Sequence, residues 1–334
     1  MKVSVLVPSE EYRAYAGART RYGRLAPSFA RLGIDPLLED VANFMPDRAQ
    51  CDVLLISKCH DARSLVAASA VSERGKLVGV DLFDDYFSQS ADSRLARFRN
   101  WLRQLLPICD FALCSTPAMA KIASTYRTDL PIHVVNDPAE DIPFGDLSST
   151  LAAKLTRALD ERKIRLAWFG VGDNPYFKVG LGDLAAYGGI LGSLRRSDMD
   201  VEMTILTNAR ALNANGLALI GQLPVRTTVL EWTEQQEREA LYNAFACFLP
   251  VNAQGFSRAK SLNRAVTALS AGCQVLSAGY PLYEPFGDFL YRDPVSLLSD
   301  LYRHQMRLSP GTVGRFQRAV EVLASAASEA VSLS

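Results

Sequence analysis

The sequence predicts an α/β protein built as two successive domains, each a parallel sheet with helices packed on its faces. Three observations predict it. Short apolar runs closed by glycine, proline or polar residues alternate with helix-like periodic stretches, and the whole alternation occurs twice. A loop-like interruption over 139–149, containing Glu-Asp-Ile-Pro-Phe-Gly-Asp, separates the two rounds. The length of 334 residues is enough for two ordinary cores.

The first round opens on Val3–Val7, an apolar run closed by Pro8. A polar loop follows, containing Gly17, Arg19 and Arg21. The next helix carries Leu25, Phe29 and Leu32 on one face and ends at Gly33. Asp52–Ile56 reads as a buried strand leading into Ser57–Asp61, which contains His60; Lys76–Leu82 reads as another, running into Asp84 and Asp85. Ligands of open parallel sheets gather beyond the carboxyl ends of strands, so His60 and the cluster Asp81, Asp84 and Asp85 are the acid/base candidates. Carboxylates held together raise one another's pKa, which suits a general base. For any single one of them, capping a turn or facing water is the ordinary alternative. Arg94–Leu106 is an amphipathic helix with leucines on one stripe and four arginines. Such a helix packs on a sheet with its arginines in water, or rests on an anionic membrane. Asp110–Cys114 is a strand, Thr116 caps a helix with Pro117 at its first position, and Ile132–Val135 with Asn136-Asp-Pro138 closes the round.

The second round begins with the strand Ile164–Phe169, which runs into Gly170-Val-Gly172-Asp173-Asn174. Glycines just after a strand let a ligand come close to the backbone, although this spacing is not the dinucleotide Gly-x-Gly-x-x-Gly. Lys178 lies a few residues on. Val201–Leu206 and Thr227–Leu230 are further strands, followed by Glu231, Trp232 and a capping box at Thr233-x-x-Gln236. Cys247–Pro250 is buried, and the loop 251–258 delivers the chain to Lys260-Ser261-Leu-Asn263-Arg264, the first turn of a helix that stops at Gly272. Free N–H groups and the positive end of the helix dipole favour an anion there, and a pyrophosphate suits the cluster.

The run Lys260-Ser-x-Asn-Arg264, the small apolar helix ending Ala271-Gly272 and the following Val275-Leu-Ser277 resemble the donor-binding segment of GT-B glycosyltransferases. In that family this helix binds the diphosphate of a nucleotide sugar. More weakly, the resemblance spans nearly the whole chain, through the opening strand–loop–helix, the Ser115-Thr-Pro117 helix and Pro131-Ile-x-Val-Val-Asn-Asp-Pro138. It implies two Rossmann-like domains facing each other across a cleft: residues 1–145 for the acceptor, 146–310 for the donor, and 311–334 as a helix crossing back. It implies transfer of a sugar from a nucleotide diphosphate to a glycan or lipid-linked acceptor, in synthesis of a bacterial-type surface polysaccharide or glycoconjugate. Gly170, Gly172, Asp173 and Asn174 would face the sugar and phosphates, Glu231 the base, and Lys260, Ser261, Asn263 and Arg264 the diphosphate. The first loop would face the acceptor, with Gly17, Arg19 and Arg21 placed to touch it or a phosphate, and, if the reaction inverts, Asp84, Asp85 or His60 would deprotonate the acceptor hydroxyl.

One departure matters. The Glu-x7-Glu pair of many retaining members falls on Ala259 and Thr267, or on Gln254 and Leu262 in a shifted register, and neither alignment yields a carboxylate. Retention and inversion are both left open, as are a nucleotide-sugar 2-epimerase and a non-catalytic nucleotide-binding member.

Composition narrows the partners. Thirty-six basic and 36 acidic residues give no bulk attraction to nucleic acid. The six cysteines have no Cys-x-x-Cys or His-Cys metal spacing and read as reduced, buried thiols. No Asp-x-Asp sits where a metal-bound nucleotide would require it, and Asp84-Asp85 lies in the acceptor half, so metal independence is expected, with no cofactor beyond the co-substrate. No run approaches a membrane span, and the chain begins on a strand without room for a signal peptide. A cytoplasmic protein is expected, its basic helix offering the one peripheral contact with the inner face of a membrane.

Overall fold

Two six-stranded sheets, parallel at every pairing, carry the chain. The computed structural model describes residues 1–139, 146–195 and 197–332. The first sheet comprises β1 (Lys2–Val7), β2 (Asp35–Asp40), β3 (Val53–Ser57), β4 (Leu77–Leu82), β5 (Phe111–Cys114) and β6 (Ile132–Val134), in the order β2-β1-β3-β4-β5-β6. The second comprises β7 (Lys163–Phe169), β8 (Asp200–Thr207), β9 (Arg226–Glu231), β10 (Ala246–Phe248), β11 (Gln274–Leu276) and β12 (Leu290–Tyr291), in the order β12-β11-β10-β7-β8-β9. Parallel strands are covered by helices on both faces, and their sequences are therefore apolar without interruption. All five residues of β3 are buried. The edge strand β2 is the exception: Asp-Pro-Leu-Leu-Glu-Asp is too polar to read as a strand, and Pro36 fits because an edge position can spare an N–H.

The chain divides into two compact units. Met1–Asp141, Arg258–Asn263 and Leu323–Ser334 form one, and Ile142–Ser257 with Arg264–Val322 forms the other. Hydrogen bonds explain the two outlying segments of the first unit: Thr116 Oγ1 donates to Ala259 O at 3.0 Å, and Asn136 Nδ2 to Leu323 O at 3.2 Å.

Arg21, placed by the sequence in a ligand-facing loop, is instead interior to the first unit. Its guanidinium donates to both oxygens of Asp81, at 2.6 and 3.1 Å, and to Asp137 at 3.1 Å and the carbonyl of Val135. With side-chain exposures of 2% and 1%, Arg21 and Asp81 are out of reach of an acceptor. The helix Ala96–Leu105 buries Phe98, Trp101, Leu102 and Leu105, and Trp101 Nε1 donates to Ser64 Oγ at 2.9 Å. Its apolar stripe thus serves the unit's own core, while Arg99 bonds the carbonyl of Gln89 and Arg103 lies over the Tyr126 ring. No helix among the described residues is long and apolar enough to cross a membrane. All six cysteines are buried free thiols.

Candidate functional site

In the second sheet successive strands build outward in opposite directions from β7 and β10, so the loops after these two neighbours part and leave a crevice at their carboxyl ends. Gly170, immediately after β7, has φ +154°, which L side chains rarely adopt. A Cβ there would lie 3.2 Å from Arg264 Cζ, so the glycine admits the guanidinium. Arg264 sits in the first turn of the helix Asn263–Ser270, which ends at Gly272 with φ +72°. Its Cζ is 5.2 Å from the Trp168 ring and 5.4 Å from Phe169, a cation held over the aromatic end of β7. Arg264 Nε and Nη2 are nevertheless buried with no acceptor among the described residues. A charged donor buried without a partner costs stability, and such a group marks the place of an absent anion.

Asp183 is buried in the same unit, and burial pushes its carboxyl up against its hydrogen bonds and the Arg264 charge, which lower it. Its oxygens are already engaged by Asn252 Nδ2 at 2.7 Å and Gly180 N at 3.3 Å, so it fastens the start of the helix Leu181–Tyr187 to the loop after β10. Neither residue has a sequence signal beyond the helix-start spacing Gly180-x-x-Asp183.

The other predicted donor-side residues fall in different roles. Gly172 is a packing glycine, because a Cβ would meet Thr207 Oγ1 at 2.3 Å and Ala211 Cβ at 2.7 Å. Asp173 is drawn off by Arg210 at 2.7 Å and Asn208 at 2.9 Å. Asn174 turns the backbone, accepting from Tyr176 N and Phe177 N. Lys178 is exposed, and its carbonyl receives Asn252 and Gln254. Glu231 ends β9 on the exposed surface, and the Trp232 indole donates to the Glu237 carboxylate. Of the predicted diphosphate cluster only Arg264 belongs to the second unit, whereas Lys260, Ser261 and Asn263 group with the first.

There Lys260 pairs with Asp84, which also receives Lys58, and the Ser261 hydroxyl hydrogen-bonds Asp137. Lys58 follows β3 in a left-handed conformation, φ 60°, uncommon for a lysine and unmarked in the sequence. The clustering of Asp81, Asp84 and Asp85 predicts a raised carboxylate pKa. Burial does push Asp84 up, but the Lys260 and Lys58 ammoniums prevail and hold it well below the usual carboxylate range. A carboxylate so stabilised is a poor proton acceptor. Asp85 is a turn residue, accepting from Phe87 N at 3.0 Å and Ser88 N at 2.8 Å. His60 lies edge-on among Trp101 at 4.7 Å, Phe98 at 5.0 Å and Phe87 at 6.0 Å.

Burial, and next to it the Lys58 ammonium, push the His60 imidazole down to about 3. The folded chain therefore holds fewer protons than the unfolded one between pH 3 and the ordinary histidine value of about 6.5. His60 should lower stability progressively as pH falls through that window, and its ring resonances should show no titration above about pH 5. A midpoint near pH 6.5 in an NMR titration would contradict the packing described.

No protein-family profile and no curated protein sequence matches the chain. Solved structures do match. Anabaena HepE, determined in complex with UDP and glucose, is 13% identical over all of both chains with a TM-score of 0.62. An α,α-trehalose-phosphate synthase (UDP-forming) from Burkholderia vietnamiensis is 11% identical, covering 99% of this chain and 98% of its own, with a TM-score of 0.59. A trehalose-6-phosphate synthase studied for glycosyltransfer with retention is 11% identical over 97% and 95%, with a TM-score of 0.61. The fold is GT-B. Both Rossmann-like units of a GT-B chain are present, with the Arg264 cradle at the switch point of the second.

Proposed function

We propose that this GT-B chain is a nucleotide-sugar glycosyltransferase, and one observation carries the proposal: a guanidinium with two buried, unanswered N–H groups at the switch point of the second sheet. A diphosphate answers that demand, since it offers several charged acceptors to a planar fork of donors. Uridine diphosphate is the first nucleotide to test, because neighbours of the same fold were crystallised with UDP and UDP-glucose. As the glycosidic C–O bond breaks, Arg264 would stabilise the charge growing on the departing diphosphate, a task that needs no metal ion. The acceptor is a hydroxyl of a glycan or lipid-linked sugar.

Of the residues foreseen as bases, Asp84 is quenched by two ammoniums, Asp85 is locked in a turn, and His60 is caged by aromatic rings. The acceptor proton is then assigned to the departing diphosphate oxygen. Bond breaking and bond forming then share one face of the sugar, and the anomeric configuration is retained. Incubation with UDP-glucose and candidate acceptors, followed by proton NMR in chelator, should show free UDP and an α-linked product. A β-linked product, or dependence on an added metal, would refute this mechanism. Turnover of donor without acceptor would instead reveal a 2-epimerase. Binding without any turnover would fit the two buried residues, Ala259 and Thr267, that stand where the motif glutamates would be.

A further inference from the structure

The second unit holds another cation-lined cavity, separate from the Arg264 cradle. It lies past the edge strand β12, with two strands between that edge and β7, and has a volume of about 550 Å³. That is within the range of small-molecule pockets. Arg292, Arg307 and Arg315 line it, against the carboxylates of Glu284 and Asp288, so cations outnumber anions. Two of the guanidiniums are held in place by aromatic faces: Arg307 Cζ is 4.7 Å from the Tyr291 ring and Arg315 Cζ 5.9 Å from Phe289. Arg292 Nη1 is buried with no acceptor among the described residues, although the same side chain pairs with Glu284. Glu284 and Asp288 are each 70% exposed, whereas the Arg292 side chain is only 35% exposed. The carboxylates are thus the loose partners: both lie on the short 3-10 segment Glu284–Phe289 and can turn to water. Exposed ion pairs of this kind hold weakly, whereas a guanidinium grips a phosphate by two parallel hydrogen bonds.

We infer that this cavity is a binding site for a small phosphomonoester, with the phosphate among Arg292, Arg307 and Arg315 and the carbon skeleton against Phe289 and Pro285. The dianion displaces the two carboxylates and satisfies the orphaned N–H. A bare phosphate leaves most of the cavity unfilled, so an organic ester binds more tightly than inorganic phosphate.

Calorimetry on the full chain with ribose 5-phosphate, ribose and inorganic phosphate tests the site. Ribose 5-phosphate should bind saturably, and Arg292→Gln and Arg315→Gln should each weaken it by about tenfold or more. Both variants change surface pairs, so thermal melts should stay near that of the unaltered chain. Arg264→Ala should leave this binding intact, which separates the outcome from that of the donor site. No binding of ribose 5-phosphate overturns the inference. So does binding matched by ribose or inorganic phosphate, retained in both glutamine variants, or lost in Arg264→Ala.

Discussion

Replacing Arg264 by alanine should weaken uridine diphosphate binding by about 100-fold, or about 3 kcal/mol, the scale of truncating one partner of a desolvated charge pair. The same change should leave thermal stability unaltered or raise it. Nε and Nη2 have no hydrogen-bond partner among the described residues, so alanine removes buried, unpaired donors rather than bonded ones. A residue that only holds the fold together would show the reverse, with lower stability and unchanged affinity. Arg264→Lys should recover only part of the loss. A single ammonium lacks the planar fork, and it no longer spreads across Trp168 and Phe169. Isothermal calorimetry beside a thermal melt decides the matter, and unchanged affinity in Arg264→Ala removes the ground for the transferase assignment.

Arg21→Ala should be the most damaging single change in the first unit, costing about 3–5 kcal/mol. It leaves the Asp81 carboxylate buried with Tyr22 as its remaining hydrogen-bond donor, strips Asp137 of its nearest cation and frees the carbonyl of Val135. Arg21→Met combined with Asp81→Leu should recover much of the loss, because it removes both buried charges together. Equilibrium urea unfolding would show the difference. A loss under about 1 kcal/mol for Arg21→Ala would mean that the cluster is not the buried anchor described here.

The two sheets were legible in the sequence because strands covered on both faces carry apolar runs that need no periodicity to stand out. β2, with one edge open, lacks that signature. Arg264 was legible for a local reason: it lies in the opening turn of a helix whose end Gly272 marks, while the loop it meets carries its own Gly170-x-Gly172 signal much earlier in the chain. The fate of the other charges was not legible, because each is decided by a partner far along the chain. Asp84 looks like a free acid until Lys260, 176 positions away, is seen beside it. Arg21 looks like a loop cation until Asp81 and Asp137 enclose it. Asp173 carries no mark of its pairing with Arg210.

The grouping of Arg258–Asn263 and Leu323–Ser334 with the first unit has a genetic consequence. A gene fragment stopping near codon 139 would encode a half that lacks its own inserts: Asp84 would be one ammonium short, Asp137 would lose the Ser261 hydroxyl, and Asn136 would lose the backbone carbonyl of Leu323. Neither half is a cassette that recombination can exchange whole. Exchanging the first unit whole between relatives of this chain therefore requires four junctions rather than one.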